Sequence, residues 1–176
     1  MQFGSKNKRG STVTELIVVI AVAGIMTGAL AFEFRGWLGK YKAESQLKDF
    51  YSDFMHARTE AMHRNRNFYA DFPDASSYRI REDTDDDNDY TTLEGDTILP
   101  AFPKQVLYPV RWSGGTLIFR TRGLVQPSAT PLGATLCIVS GDDPDYDCMV
   151  ISQTRINLGK LKDRDGACNA ANCAIR

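Results

Sequence analysis

Gly10-Ser11-Thr12-Val13-Thr14-Glu15-Leu16-Ile17, continued as VVIAVAGIMTGALAF to Phe32, is the stretch on which the architecture turns. Between Glu15 and Glu33 lie 17 consecutive uncharged residues, about 25 Å of helix at ~1.5 Å per residue. A bilayer asks for roughly 20 residues. Val13 before the run and Trp37-Leu38 after it extend the apolar surface, and Trp37 and Tyr41 suit the membrane interface. Lys6, Lys8 and Arg9 precede the run with no acid among them, which predicts a cytoplasmic N-terminus. A buried core helix is a poor reading, because the run is apolar on every face. An ordinary secretory signal peptide is an alternative. It would use Lys6 to Arg9 as its basic region and Ala29-Leu30-Ala31 as its cleavage site, releasing Phe32. That reading leaves Glu15 without a task. A carboxylate at the mouth of an apolar helix is expensive and calls for a partner. No Lys, Arg or His follows within two turns, whereas a free α-amino group on a neighbouring copy would serve.

A basic leader, Gly10, Glu15 at the fifth position after it and a long apolar helix together resemble the prepilin peptidase signal of type IV pilins and type II secretion pseudopilins. The resemblance implies cleavage after Gly10, with Ser11 as the new, N-methylated terminus and Glu15 as the acid used in assembly. The family usually carries Phe where Ser11 stands. Loss of the leader leaves 18 basic against 22 acidic residues, a net charge of −4 instead of −1. The expected organisation is a leader (1–10), a transmembrane and filament-core half of the helix (11–37), and a periplasmic or extracellular domain (38–176).

Beyond Trp37 the pattern stays helical but becomes one-sided. Leu47, Phe50, Tyr51, Phe54, Met55, Ala61 and Met62 recur at steps of three and four, between charged residues. The spacing predicts one helix over residues 12–64, ended by Asn65-Arg66-Asn67. Gly24-x-x-x-Gly28 permits close helix contact or is simply tolerated in an apolar helix. Strands are expected at 67–72, 78–82, 106–112, 116–121, 134–140 and 148–154, with 155–158 continuing the last, because Gly, Pro and Asp clusters punctuate them. The fold class is therefore α+β, a long N-terminal helix packed on an antiparallel sheet. The run Leu117–Gly123 followed by Pro127, and the hairpin ATLCIVS to CMVISQ, resemble the GspH/FimT branch of minor pilins and H-type pseudopilins. The usual Gly of that branch's last strand is missing around Gln153-Thr154-Arg155.

The chain has 176 residues, 43% of them hydrophobic and 24% charged, enough for one domain with a true core. Near-zero net charge argues against a nucleic-acid coat. There is no phosphate-cradling loop, nucleophile elbow or solenoid repeat, and no catalytic constellation. His56 and His63 read as surface residues. The four cysteines lie in the last quarter, outside the cytoplasm on this topology, where disulfides persist. Cys137–Cys148 across a hairpin and Cys168–Cys173 are the expected pairs. A four-thiolate zinc site is the rival, and it lacks paired C-x-x-C knuckles.

Asp83-Thr84-Asp85-Asp86-Asp87-Asn88-Asp89-Tyr90-Thr91-Thr92-Leu93-Glu94 follows the spacing of an EF-hand calcium loop. Asp83, Asp85, Asp87 and Glu94 fall at positions 1, 3, 5 and 12, with Asp89 and Thr91 at 7 and 9. Asn88 takes the turn position usually held by Gly, as a residue that tolerates φ > 0. A solvated acidic turn is the plainer reading. Residues 155–176 carry a side-chain charge of +3. Lys160, Lys162 and Arg164 there are similar to the basic tail with which some FimT-like pilins bind DNA, without aromatic residues for stacking. The reading is a non-enzymatic minor pilin or pseudopilin. Its partners are other pilin subunits, prepilin peptidase and an inner-membrane assembly platform, with calcium the one expected cofactor. A DNA-binding minor pilin and a secreted protein are the alternatives.

Overall fold

The computed structural model describes residues 12–130 and 133–176, and within its helix not the side chains of 30–35. The expected leader and cleavage site, Gly10–Ser11, lie outside the described residues. The chain divides into two compact units, Met1–Leu38 and Gly39–Arg176. One helix, α1 (Val13–Arg64), enters both. It stops at Asn65, whose φ of 54° places it in the left-handed region, a conformation that Asn tolerates and that commonly closes a helix. Among the described residues no helix is long and apolar enough to cross a membrane.

In the second unit the buried stripe of α1 is Ala43, Leu47, Phe50, Phe54, Ala57 and Ala61, each fully buried. Steps of four and three keep it on one face. Tyr51 and Met62, expected on that face, are instead exposed. Each follows a stripe member by one residue and so points about 100° away. Small Ala43 and Ala57 join Ala61 on the buried stripe.

The strands form two antiparallel sheets, as the α+β class expects. The first contains β1 (Phe68–Asp74), β2 (Ser77–Glu82), β3 (Thr97–Ile98), β4 (Lys104–Gln105), β6 (Leu117–Phe119) and β7 (Val125–Pro127). Its order is β3-β2-β1-β6-β7, with β4 also pairing β2. The second runs β11-β10-β9-β8-β5, from β11 (Cys173–Ile175), β10 (Ile156–Leu161), β9 (Cys148–Ile151), β8 (Ala134–Ile138) and β5 (Val110–Trp112). Residues of both sheets share one core with the helix stripe, including Phe68, Ile80, Phe119, Leu136 and Met149. Phe54 lies 5.9 Å from Phe119 and 6.5 Å from Phe72, ring centre to ring centre. Buried Gln46 brackets the Tyr108 backbone, donating to its carbonyl and accepting from its N–H, both at 2.8 Å.

Residues 155–158 do not continue the preceding strand. The chain turns at Ser152–Arg155, where the Ser152 N–H and hydroxyl both donate to the Arg155 carbonyl. It then returns as β10, antiparallel to β9. The sequence Ser-Gln-Thr-Arg holds no Gly or Pro to announce this turn.

The disulfides correct the expected pairing. Cys137 and Cys148 do sit opposite each other on β8 and β9. Each bonds elsewhere, as Cys137–Cys168 and Cys148–Cys173, with Cα separations of 5.9 and 6.0 Å. Strand alternation explains the exchange. Leu136 and Ile138 join the core shared with the helix, whereas Cys137, Cys148, Leu161 and Cys173 form a second cluster. The C-terminal segment covers that cluster and supplies the partner thiols. The bridges join residues 31 and 25 apart in sequence, longer loops than the local pairing would close, and so constrain the unfolded chain more. Gly159 of β10 makes room, since a Cβ there would lie 2.8 Å from Cys173 Sγ and 2.5 Å from the Ala174 carbonyl oxygen. No cysteine is left as a zinc thiolate.

Candidate functional site

Two places concentrate the residues singled out in the sequence. The first is the start of α1. Thr12 caps it, its hydroxyl accepting the Glu15 N–H at 3.3 Å. Thr12-x-x-Glu15 therefore has the capping-box spacing, and an acid in the first turn is favoured by the helix dipole. The sequence reading missed this local support, although the T-x-x-E signal was visible. Glu15 is exposed, and among the described residues it forms no ion pair. Following it, the large apolar residues from Val13 to Met26 are 48–75% exposed. Any surface of that size needs covering by lipid or by other apolar chains.

The second place is the loop between β2 and β3. Asn88 does take positive φ, 60°, as its turn position requires, and so does Asp86, at 62°. The loop then departs from EF-hand geometry. Asp87 accepts the Asp89 N–H at 2.7 Å, and Asp89 accepts both the N–H and the hydroxyl of Thr91. These bonds hold the Asp89 carboxyl below the usual carboxylate range, the Thr91 hydroxyl contributing most. The carboxylates of Asp87 and Asp89 thus shape turns. Among the described residues the one group able to gather on a metal ion is Asp83, Asp85 and Asp96, with a ligand oxygen from each inside 4.8 Å of the others. Asp87, Asp89 and Glu94 are not in that group. Asp96, just beyond the twelve-residue window, was not foreseen.

Arg81, 2% exposed, anchors the loop. It pairs with Asp96, donates to the carbonyls of Thr92 and Tyr90, and lies 4.8 Å above the Tyr69 ring. Burial raises the Asp96 carboxyl above its ordinary range; Arg81 pulls it down, while Asp83 and Asp85 push it up. Asp83 is fully buried, its Oδ2 accepting from the Tyr69 hydroxyl at 2.9 Å and the Asn88 N–H at 3.2 Å.

The basic C-terminal residues are engaged within the chain. Lys160 and Arg164 both pair with Asp143, at 2.9 and 2.8 Å, and Lys162 Nζ donates to the Ala171 carbonyl. His56 lies 3.9 Å from Glu60 on the helix surface, and His63 is exposed.

The Leu117–Pro127 run forms the β6–β7 hairpin, with Leu117 opposite Pro127 and Phe119 opposite Val125. A family model described as type II transport protein GspH matches residues 46–154. The chain belongs to the GspH family. Its role is accordingly that of a pseudopilin or minor pilin in type II transport, a structural subunit of the envelope that assembles with others of its kind. No curated protein and no solved structure matches the chain. The GspH match starts at Gln46, which clamps Tyr108, and takes in the helix stripe from Leu47 onward. It ends at Thr154, in the turn before β10, so Cys168 and Cys173 fall beyond it.

Proposed function

We propose that this GspH-family chain is made as a precursor, cut after Gly10 by prepilin peptidase and methylated on Ser11. It is held in the inner membrane by the apolar half of α1, with the remaining domain in the periplasm. An assembly platform then incorporates it into a type II secretion pseudopilus, or as a minor subunit into a type IV pilus. The mechanism is assembly, without chemistry on a substrate. Apolar helix segments pack side by side in the filament core, and Glu15 of one subunit neutralises the Ser11 α-amine of its neighbour.

The observation that carries this reading is the contrast along one helix. From Ala43 to Ala61 a stripe of α1 is fully buried. From Val13 to Met26 the large apolar side chains are 48–75% exposed, and among the described residues the acid at their head forms no ion pair. Burying a carboxylate in that setting demands a cation. The ion pairs of Lys160 and Arg164 with Asp143 give no support to the DNA-binding alternative.

Removing one partner of a buried ion pair costs about 3–5 kcal/mol. Glu15→Ala should therefore lower incorporation into sheared filaments by roughly ten-fold or more, while the melting of the domain stays at the wild-type midpoint. Immunoblotting of filament fractions alongside circular dichroism reads both. Wild-type incorporation of the variant would contradict the role given to Glu15.

A further inference from the structure

We infer that Asp83, Asp85 and Asp96 form a binding site for a hard divalent cation, best fitted by calcium. This goes beyond the assembly reading and does not depend on it. The three carboxylates come from the two ends of the β2–β3 loop and bring an oxygen each within 4.8 Å of one another. Such crowding alone is common among exposed acids. Here two of the three are withdrawn from water and incompletely partnered. Asp83 is fully buried, and its Oδ1 has no hydrogen-bond partner, its Oδ2 being taken by Tyr69 and Asn88. The Asp96 side chain is 1% exposed, and its Oδ1 is likewise orphaned while Oδ2 meets Arg81. A buried carboxylate oxygen without a donor is strongly unfavourable.

Arg81 does not relieve it. Its guanidinium is engaged with Asp96 Oδ2 and the carbonyls of Tyr90 and Thr92. The second guanidinium at the loop, Arg66, is directed to the Asp83 and Thr84 carbonyls and to Glu82 and not to these three carboxylates. Asp85, exposed and free of hydrogen bonds among the described residues, supplies the open side for entry. Gly95 completes the cradle. Its φ is +81°, and a Cβ on it would come 1.8 Å from Asp85 Oδ2, so any side chain there would displace the ligand. The donor set is all oxygen with no His or Cys, which selects hard cations over zinc or copper. Three carboxylates held on a loop, one of them facing solvent, suit the flexible coordination of calcium better than the strict octahedron of magnesium.

The test uses the full chain in detergent micelles, stripped with chelator and titrated with calcium chloride by calorimetry. Wild type should give one saturable site and, at about a hundred-fold excess over the dissociation constant, a melting midpoint raised by roughly 5 °C or more. Asp85→Asn and Asp96→Asn should each weaken calcium binding by about ten-fold or more. Glu94→Gln and Asp87→Asn should stay within about two-fold of wild type. If Asp96→Asn fails to fold because Arg81 loses its partner, Asp85→Asn decides alone. No saturable site in the wild type, or loss of binding in Glu94→Gln with Asp85→Asn unaffected, would overturn the inference.

Discussion

At the scale of single residues, buried polar groups define this domain as much as its aromatic core does. Gln46 shows the ordinary case, an amide satisfied at both ends by one backbone unit. Asp147 is less comfortable. It is 2% exposed, accepts the Leu161 N–H at 2.6 Å, and has Arg164 at 3.9 Å. Burial lifts its carboxyl above the ordinary range, more than the Leu161 hydrogen bond and nearby Arg164 and Lys160 pull it down. The native state thus holds this proton to higher pH than the unfolded chain, where Asp titrates near 3.9. Its contribution to stability therefore falls as pH rises from about 4 through the higher folded value. Asp147→Asn keeps an oxygen for Leu161 and removes the charge. Urea unfolding at pH 4 and pH 7 should show the variant gaining on wild type toward neutrality; a variant that loses ground there would contradict the assignment. The sequence did not reveal Asp147, Arg81 or Asp96 as special, because burial of one charge among many depends on neighbours brought in by distant strands.

At the scale of elements, legibility followed length and period. The 52-residue helix was readable from Val13 to Arg64, because an uncharged run passes directly into a three-and-four stripe and Asn65 ends it. Strands β1, β2, β8 and β9 were readable too. Edge strands β3, β4, β7 and β11, of two or three residues, carry no period, and β10 is hidden behind the Ser152–Arg155 turn, which holds no Gly or Pro. Those omissions account for the wrong disulfides. Without β11 beside β10, nothing places Cys173 near Cys148. Cys173→Ser should cost about 2–4 kcal/mol in chemical denaturation and leave the free thiol on Cys148, with Cys137–Cys168 intact. Peptide mapping after alkylation without reduction reads this directly. A free thiol on Cys168 would restore the local pairing.

At the scale of the whole molecule, the sequence joined two kinds of surface in one helix, and the structure keeps them distinct. The Gly39–Arg176 unit has its own core, two sheets and two bridges. In the first unit the large apolar side chains from Val13 to Met26, and Trp37, are exposed. GspH membership rests on residues 46–154, whereas the stretch that resembles a prepilin signal, Lys6 to Glu15, precedes that match. Of the three clustered carboxylates, Asp83 and Asp85 were singled out by spacing, as was the Asn88 turn, but Asp96 and the use of Asp87 and Asp89 in turns were not.

The central claim is precursor processing followed by assembly. Mass spectrometry of the subunit isolated from filaments or pseudopili tests it most directly. The account predicts a mature chain beginning at Ser11. A chain that retains residues 1–10, or one that begins at Phe32, would contradict it.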